Sequence, residues 1–429
     1  MMHRMTPQKL LTLSLTIVFI VLVIPLYAIK GLNESFDHAR ATGTVGGIDF
    51  KAYYIAADML RAGKDFYDVE QQAQEVQARG LPLNESYYIY PPLLAILFVP
   101  LTALPIQLAA QAWFFLNMAL YGACLVIVTR ALHLHRHRAI LPLLWILAFL
   151  FPPALFTLYK GQVNIVVLFL LSLLYYACTL GRAVFAGVTL ALASMIKVVP
   201  VLLLPYHLWK RQYLLGVTAL VTMAIIAIVG WAIVGAGPHE TYLSSVLPRL
   251  AEPRPNPANQ SLGGFFSLLF IANPYSSYVV NSLGLWRLLT GATSAGVLGA
   301  LAFLLLSRGR AASNTDLEFG LVVASLPLLS NIAWTDMFVL LVFPYAVLCK
   351  YALDRQLARG WLLLTAISAA LISLPRLQDL ISPFLAAQSP LLRNPLVIGL
   401  PLYGAVILWL TAATTLWATR QQENRLVPV

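Results

Sequence analysis

The acid groups of this chain gather in one loop. Nine of its 17 Asp and Glu residues lie between Glu34 and Glu85, directly after the first hydrophobic stretch, and Ser86 to His239 contains none. That loop carries Gly46-Gly47-Ile48-Asp49-Phe50-Lys51-Ala52-Tyr53-Tyr54, a carboxylate set among aromatic side chains. A carboxylate within reach of a hydroxyl can take its proton as a new bond forms, so Asp49 is the candidate general base. Asp49 also suits the N-cap of the helix that follows, a role compatible with catalysis because the cap needs one oxygen. Asp58, nine residues on, is a lesser candidate, and charged residues on such a helix normally face water. Asp65 and Asp68 flank Phe66-Tyr67 after Gly63, a turn and cap for a second helix.

Cations and amides are the counterpart. Lys197 lies in an apolar run, Ala193-Ser194-Met195-Ile196-Lys197-Val198-Val199-Pro200. An ionisable group there is costly and marks function, unless it snorkels to an interface. As a point charge it could bind a phosphate. Lys160-Gly161-Gln162-Val163-Asn164, between two apolar spans, offers a cation, a flexible backbone and two amides for a sugar or phosphate, or simply a capped turn. Asp336, at another junction, could be paired with an arginine to offset burial. His133, His135 and His137 sit beside Arg136 and Arg138 and read as a solvated basic loop rather than a metal site.

These residues need elements to hold them. The chain is 60% hydrophobic and 10% charged, against about a quarter charged in soluble domains. Its mean hydropathy of +0.79 and repeated apolar runs of membrane-crossing length predict an all-α, polytopic membrane helical bundle. The runs are too long for the alternating strands of an outer-membrane barrel. The net charge of +11 is a topology signal rather than a nucleic-acid footprint, since 15 of 28 Lys and Arg fall in short segments that alternate along the chain. By the positive-inside rule both termini are cytoplasmic, in a multi-pass cell membrane protein with its active site outside. Residues 10–30 read as a retained first span rather than a signal peptide. Cys124, Cys178 and Cys349 all lie in apolar spans, so neither a disulfide framework nor a zinc site is implied.

Further spans are expected at 106–130, 139–158, 163–180, 213–235, 283–307, 316–334, 336–352, 361–376 and 396–419. Segment 183–209 has basic flanks on both sides and Lys197 with Pro200 midway, which predicts two shorter helices with Lys197 at the turn. The total is about twelve membrane helices in a single integral domain, 1–429. Outside the membrane lie 31–91, with two surface helices at about 49–62 and 65–79 lying on the bilayer, a Pro-rich loop 236–262, and 377–395. No nucleotide-binding Gly-rich loop is visible.

Several of these pieces resemble glycosyltransferase family 87, membrane enzymes of the GT-C type that include phosphatidylinositol-mannoside mannosyltransferases. The residues that carry the resemblance are Asp49-Phe50 with Tyr53-Tyr54, Tyr67-Asp68, Tyr90-Pro91-Pro92, Gly161-Gln162-Val163-Asn164, Ala186-Gly187 leading to Lys197 and Pro200, Asn259-Gln260-Ser261-Leu262, and Ser330 with Trp334. The resemblance implies transfer of a sugar, typically mannose, from a polyprenyl-phosphate donor to a lipid-linked or glycan acceptor, with inversion and with Asp49 as base. Lys197, Lys160, Gln162, Asn164, Tyr53, Asn259 and Gln260 are then expected at the donor phosphate or sugar. Asp58, Tyr90, Trp334, Asp336 and Arg254 are expected to support them or bind acceptor. No cofactor or metal is called for, although a divalent metal is compatible. The pattern departs after Trp334, where the family commonly carries a histidine pair and this chain has Thr335-Asp336-Met337, leaving sugar and acceptor open. The competing class is a transporter or flippase of a lipid-linked substrate, which would call for an internal repeat and midplane charges. No strong repeat is visible.

Overall fold

The computed structural model describes residues 14, 16–17, 47–81, 86–306, 315–354, 359–381 and 393–426. Nearly all of the expected first span, residues 31–46 and 82–85, and most of loop 377–395 lie outside the described residues. Among the described residues the regular structure is helical, with one isolated antiparallel bridge, Asn259 to Trp334. Five helices are long and apolar enough to cross a membrane, or six if the bent pair 141–160 is one span. That supports a membrane bundle, and the expected total of about twelve is not reached by these residues. The chain divides into two compact units after Arg249.

In the first unit, α1 (Ile48–Arg61) and α2 (Val69–Ala78) form the acidic loop. Asp68 caps α2, accepting from the N–H groups of Glu70 at 2.9 Å and Gln71 at 3.1 Å. These hydrogen bonds hold its carboxyl below the usual range. Of the two helices expected at the surface, α2 buries only Gln72 and Val76. In α1 every residue from Phe50 to Ala57 is buried, so this half of the helix is core on all sides. Ala52, Ala56 and Ala57 let neighbours approach closely, and Phe50 and Tyr53 pack their rings on Phe98 with centroids 6.1 and 5.2 Å away. A stripe of apolar residues had suggested one buried face. The small residues between them allow the others.

Phe98 ends α3 (Pro92–Phe98), which passes through a tight turn into α4 (Ile106–Ala131). The chain returns through α5 (Leu141–Leu150) and α6 (Pro152–Lys160), bent by 50° at the Pro152-Pro153 pair, where each proline removes a backbone donor. Next is α7 (Asn164–Thr179). Trp113 Nε1 donates to Gly161 O at 2.7 Å, and Cys124 Sγ lies 3.1 Å from Ser172 Oγ. Both pairs are 48 residues apart, so α4 and α7 run parallel and in register.

Segment 183–209 is two helices, α8 (Ala183–Ile196) and α9 (Leu203–Trp209), joined by a 3-10 turn over Val199–Leu202. Lys197 stands at the break with an extended backbone, φ −143° and ψ 123°. The α8 helix then packs on α10 (Tyr213–Val234), where a Cβ on Gly187 would lie 2.6 Å from Leu215 O. Residues 236–250, expected to belong to a Pro-rich loop, are helical, with a π-helical stretch at Tyr242–Val246. Proline density rises only after Leu250, where the helix ends.

The second unit contains α11 (Leu262–Phe270), α12 (Leu283–Leu306), α13 (Thr315–Leu329), α14 (Val342–Leu353), α15 (Arg359–Ile381) and α16 (Leu400–Leu426). Two ion pairs pin it. Asp316 pairs with Lys350 and accepts from Tyr351 OH at 3.0 Å, while Glu318 pairs with Arg420, which also donates to Leu304 O. Lys350 and Arg420 are among the 15 basic residues whose alternation is read as a topology signal. Here they also neutralise the acids of α13, because a buried carboxylate without a partner is far more costly than one with it.

Candidate functional site

Asp49 lies in the first turn of α1, half-buried. It is not the N-cap. Gly47 occupies that position with φ 93° and ψ 156° and no side-chain cap bond. The carboxylate is instead one residue inside the helix, where the positive end of the helix dipole favours a negative charge. Ser86 Oγ donates to Asp49 Oδ1 at 3.2 Å. Ser86 drew no attention in the sequence, although it directly precedes the Tyr87-Tyr88-Ile89-Tyr90 run.

Gly47 explains how Asp49 is placed. Its backbone lies against the end of α6, where an added Cβ would stand 2.5 Å from the Lys160 carbonyl carbon and nearer still to Tyr159 O. Only glycine allows that approach, and its backbone angles are themselves in a region that side chains avoid. The start of α1 is thereby docked on the Lys160-Gly161-Gln162 turn.

That turn is a Schellman motif. Gly161 is left-handed at φ 65°, its N–H bonds Leu158 O at 3.1 Å, and the Gln162 N–H bonds Thr157 O at 2.9 Å. The capped-turn reading of this segment is therefore correct for its backbone, and the turn presents the Gln162 and Asn164 side chains. Gln162, 1% exposed, accepts at Oε1 from Tyr53 OH at 3.0 Å and Tyr90 OH at 3.1 Å. The two tyrosine rings meet edge to face, 5.0 Å apart. Two further tyrosines brace the strand of chain that carries Tyr90: Tyr67 OH donates to Tyr90 O, and Tyr88 OH to Pro91 O, both at 2.6 Å. Burial and neighbouring phenols push the Tyr67 hydroxyl well above its ordinary pKa, so it stays a neutral donor.

Asn164, fully buried, opens α7. Its Oδ1 accepts from Lys197 Nζ at 2.7 Å. This bond fixes the ammonium at the α8 break. The helix that Asn164 begins has no side-chain cap. The backbone N–H groups of Ile165 and Val166 in its first turn have no partner among the described residues.

Asp49, Tyr53, Tyr90, Lys160, Gln162, Asn164 and Lys197 are therefore linked into one assembly within the first unit, although they come from four separate stretches of sequence. Lys51 is the unforeseen member of the neighbourhood. It is 1% exposed on α1, and burial pulls its ammonium down to about 8. Asp58 belongs elsewhere. It forms ion pairs with Arg61 at 2.7 Å and with Arg79, about 13 Å along the helix from Asp49. Glu75 bridges Lys64 at 2.5 Å and Arg79, so these charges tie α1 to α2.

The remaining candidates lie in the second unit. Asn259 and Trp334 form the antiparallel bridge, with Gln260 N bonding Ala333 O at 2.8 Å and Thr335 N bonding Ala258 O at 3.1 Å. The Asn259 amide accepts from Ala333 N at 3.0 Å and Ser261 Oγ at 3.0 Å, and donates to Arg254 O at 3.4 Å. Gln260 donates to Ile398 O at 2.9 Å and accepts from Leu402 N at 3.1 Å. Both side chains are buried and serve backbone groups, which shapes the loop that carries half-buried Arg254 and Trp334. Asp336 is fully buried in the 3-10 helix Thr335–Leu341.

Two comparisons bear on what this arrangement does. The profile of glycosyltransferase family 87 matches residues 88–331, a stretch that begins after Asp49 and Tyr53 and includes Gln162, Asn164 and Lys197. Among curated proteins, a polyprenol-phosphate-mannose-dependent alpha-(1-2)-phosphatidylinositol pentamannoside mannosyltransferase of Mycolicibacterium smegmatis is 29% identical over 336 residues, covering 74% of each chain.

Proposed function

The chain belongs to glycosyltransferase family 87, and on that premise we propose that it moves mannose from a polyprenyl-phosphate donor to a lipid-linked or glycan acceptor outside the cell membrane, with inversion. The M. smegmatis relative takes the same kind of donor, and the apolar helices suit a substrate that arrives within the bilayer. The observation that carries the reading is the assembly on the Lys160-Gly161-Gln162 turn. It joins a carboxylate at a helix N-terminus, Asp49, to a lysine held at a helix break, Lys197, through buried tyrosines and amides.

The reaction is a single in-line displacement. Asp49 takes the proton of the acceptor hydroxyl as its oxygen bonds to the anomeric carbon. The bond from that carbon to the phosphate oxygen breaks, and its electron pair stays on the phosphate. Lys197, with Lys160 four residues before its partner Asn164, supplies positive charge where the leaving phosphate becomes more negative. Ser86 orients Asp49 through the bond to Oδ1.

The test is sugar transfer by purified Asp49→Asn protein with a radiolabelled polyprenyl-phosphate mannose. Transfer should fall by at least about a thousandfold while the lipid still binds, since the base is lost and the donor site is kept. Wild-type rates in this variant would remove Asp49 from the reaction. Mass spectrometry of envelope lipids after deletion of the protein would identify the acceptor.

A further inference from the structure

Helices α7, α8 and α10 carry a second polar cluster, at the end away from Asp49. Asn164 opens α7 and Lys197 ends α8, and these two residues are bonded. The other ends of both helices, at Thr179 and Ala183, therefore lie roughly 20 Å away along α8. Helix α10 runs the same way as α8. A Cβ on Gly187, early in α8, would meet Leu215 O, early in α10, and one on Gly230, late in α10, would meet Ile96 of α3, the helix that packs on Tyr53. Two turns thus lie at the same end of the first unit: Gly181-Arg182 between α7 and α8, and Lys210-Arg211-Gln212 between α9 and α10.

Both are Schellman turns. The Arg182 N–H bonds Ala177 O at 2.9 Å and the Gly181 N–H bonds Cys178 O at 3.1 Å, while the Gln212 N–H bonds His207 O and the Arg211 N–H bonds Leu208 O, both at 3.0 Å. The left-handed position is Gly181 in the first turn, at φ 68°, and Arg211 in the second, at φ 57°. Among the described residues only His133 and Arg211 hold a positive φ without being glycine. An arginine there keeps a strain that glycine would relieve, and such strain gathers where a function holds it in place. Packing does not call for the side chain, because Arg211 is exposed, as is Arg182. The stretch from Ser86 to His239, which builds this end, has no Asp or Glu to offset them. Leu180, Phe185, Trp209, Tyr213 and Leu214 are exposed around the two turns, and aromatic residues of this kind sit at the headgroup level of a bilayer.

We propose that the two turns form a site for an anionic phospholipid, its phosphate held by Arg182 and Arg211 with Lys210 beside them, and its acyl chains lying on Trp209, Tyr213 and Leu214. Arginine forks match the paired oxygens of a phosphodiester, and basic clusters at helix ends in a membrane suit lipid headgroups. The chains would continue along α10, a span that is only 11% buried by the rest of the protein. The site is separated from the Asn164–Lys197 pair by the length of α8, and it does not depend on the polyprenyl-phosphate reading.

The test titrates the full-length protein in neutral detergent with phosphatidylglycerol and with phosphatidylcholine of the same chains, and reads bound lipid by native mass spectrometry. The protein should prefer phosphatidylglycerol, and Arg182→Gln/Arg211→Gly should lower affinity for that lipid by about tenfold or more. This variant should fold, because glycine suits the backbone at 211, and its unfolding midpoint without added lipid should be no lower than the parent's. Arg136→Gln/Arg138→Gln removes the same two charges from the loop after α4, which ends level with α7, and should keep the preference. Equal weakening in the two double variants would reduce the effect to net charge and overturn the site. Binding of phosphatidylglycerol no tighter than that of phosphatidylcholine would overturn it as well. So would displacement of the lipid by inorganic phosphate at the same concentration, which would leave the exposed apolar residues without a role.

Discussion

Replacing Gly47 by alanine should disable the enzyme without touching a reacting group. Gly47 has φ 93° and ψ 156°, a region essentially reserved for glycine, so the backbone alone costs about 1–3 kcal/mol. The added methyl would also stand 2.5 Å from the Lys160 carbonyl carbon, where ordinary contact begins about 1 Å farther out. Backbone lies on both sides, so α1 must retreat from the Lys160-Gly161-Gln162 turn by about that distance. Asp49 is two residues away and moves with it. A misplacement of about 1 Å in a catalytic group can lower the rate about a hundredfold. Transfer assays on Gly47→Ala protein should therefore show kcat/KM reduced by about two orders of magnitude. Affinity for polyprenyl phosphate should fall much less than kcat/KM, because the Asn164–Lys197 pair belongs to α7 and α8 and does not move with α1. The internal control is Gly63→Ala. Gly63 is also left-handed, at φ 67°, but a Cβ there meets nothing within 4 Å, so this variant carries backbone strain and no displacement. Equal activity in the two variants would refute the docking argument.

Other consequences are open to direct measurement. Lys197→Gln should raise the KM for the polyprenyl-phosphate donor by about tenfold or more through loss of a charged hydrogen bond to phosphate, and an unchanged donor KM would exclude Lys197 from the site. Lys51 is drawn down to about 8 by burial, below its ordinary 10.5. The folded protein therefore binds fewer protons than the unfolded chain between those values, and stability should rise with pH from about 8 to 10.5. Thermal unfolding in detergent should show that rise, and Lys51→Met should abolish it. Glu318→Ala should destabilise the second unit by about 3–5 kcal/mol because it strands Arg420, whereas a Glu318→Leu/Arg420→Met double variant should recover much of the loss. Denaturant melts of the three proteins test this, and additive losses would refute the pairing.

Much of the assembly was legible before any coordinates. Apolar runs of crossing length specify helices because a backbone in lipid must satisfy its hydrogen bonds within one segment, a purely local requirement. The break at Lys197 followed from Pro200 and from basic residues on both flanks, again a local matter. The amides of Gln162 and Asn164 stood out because polar groups at a span junction are scarce.

The tertiary structure decided the remainder. Tyr53 and Gln162 are 109 residues apart, and Tyr90 and Gln162 are 72 apart, so no window of sequence can disclose that both phenols share one oxygen. The N-cap of α1 fell to Gly47 rather than Asp49 because of a backbone contact with Tyr159 and Lys160, which residue type alone cannot report. Nothing in the local sequence singles out Lys51, or Asp316 at the start of the expected span 316–334. Each became buried through helices that pack on it from distant parts of the chain. Local chemistry names the groups that can react, and only long-range packing decides which of them meet.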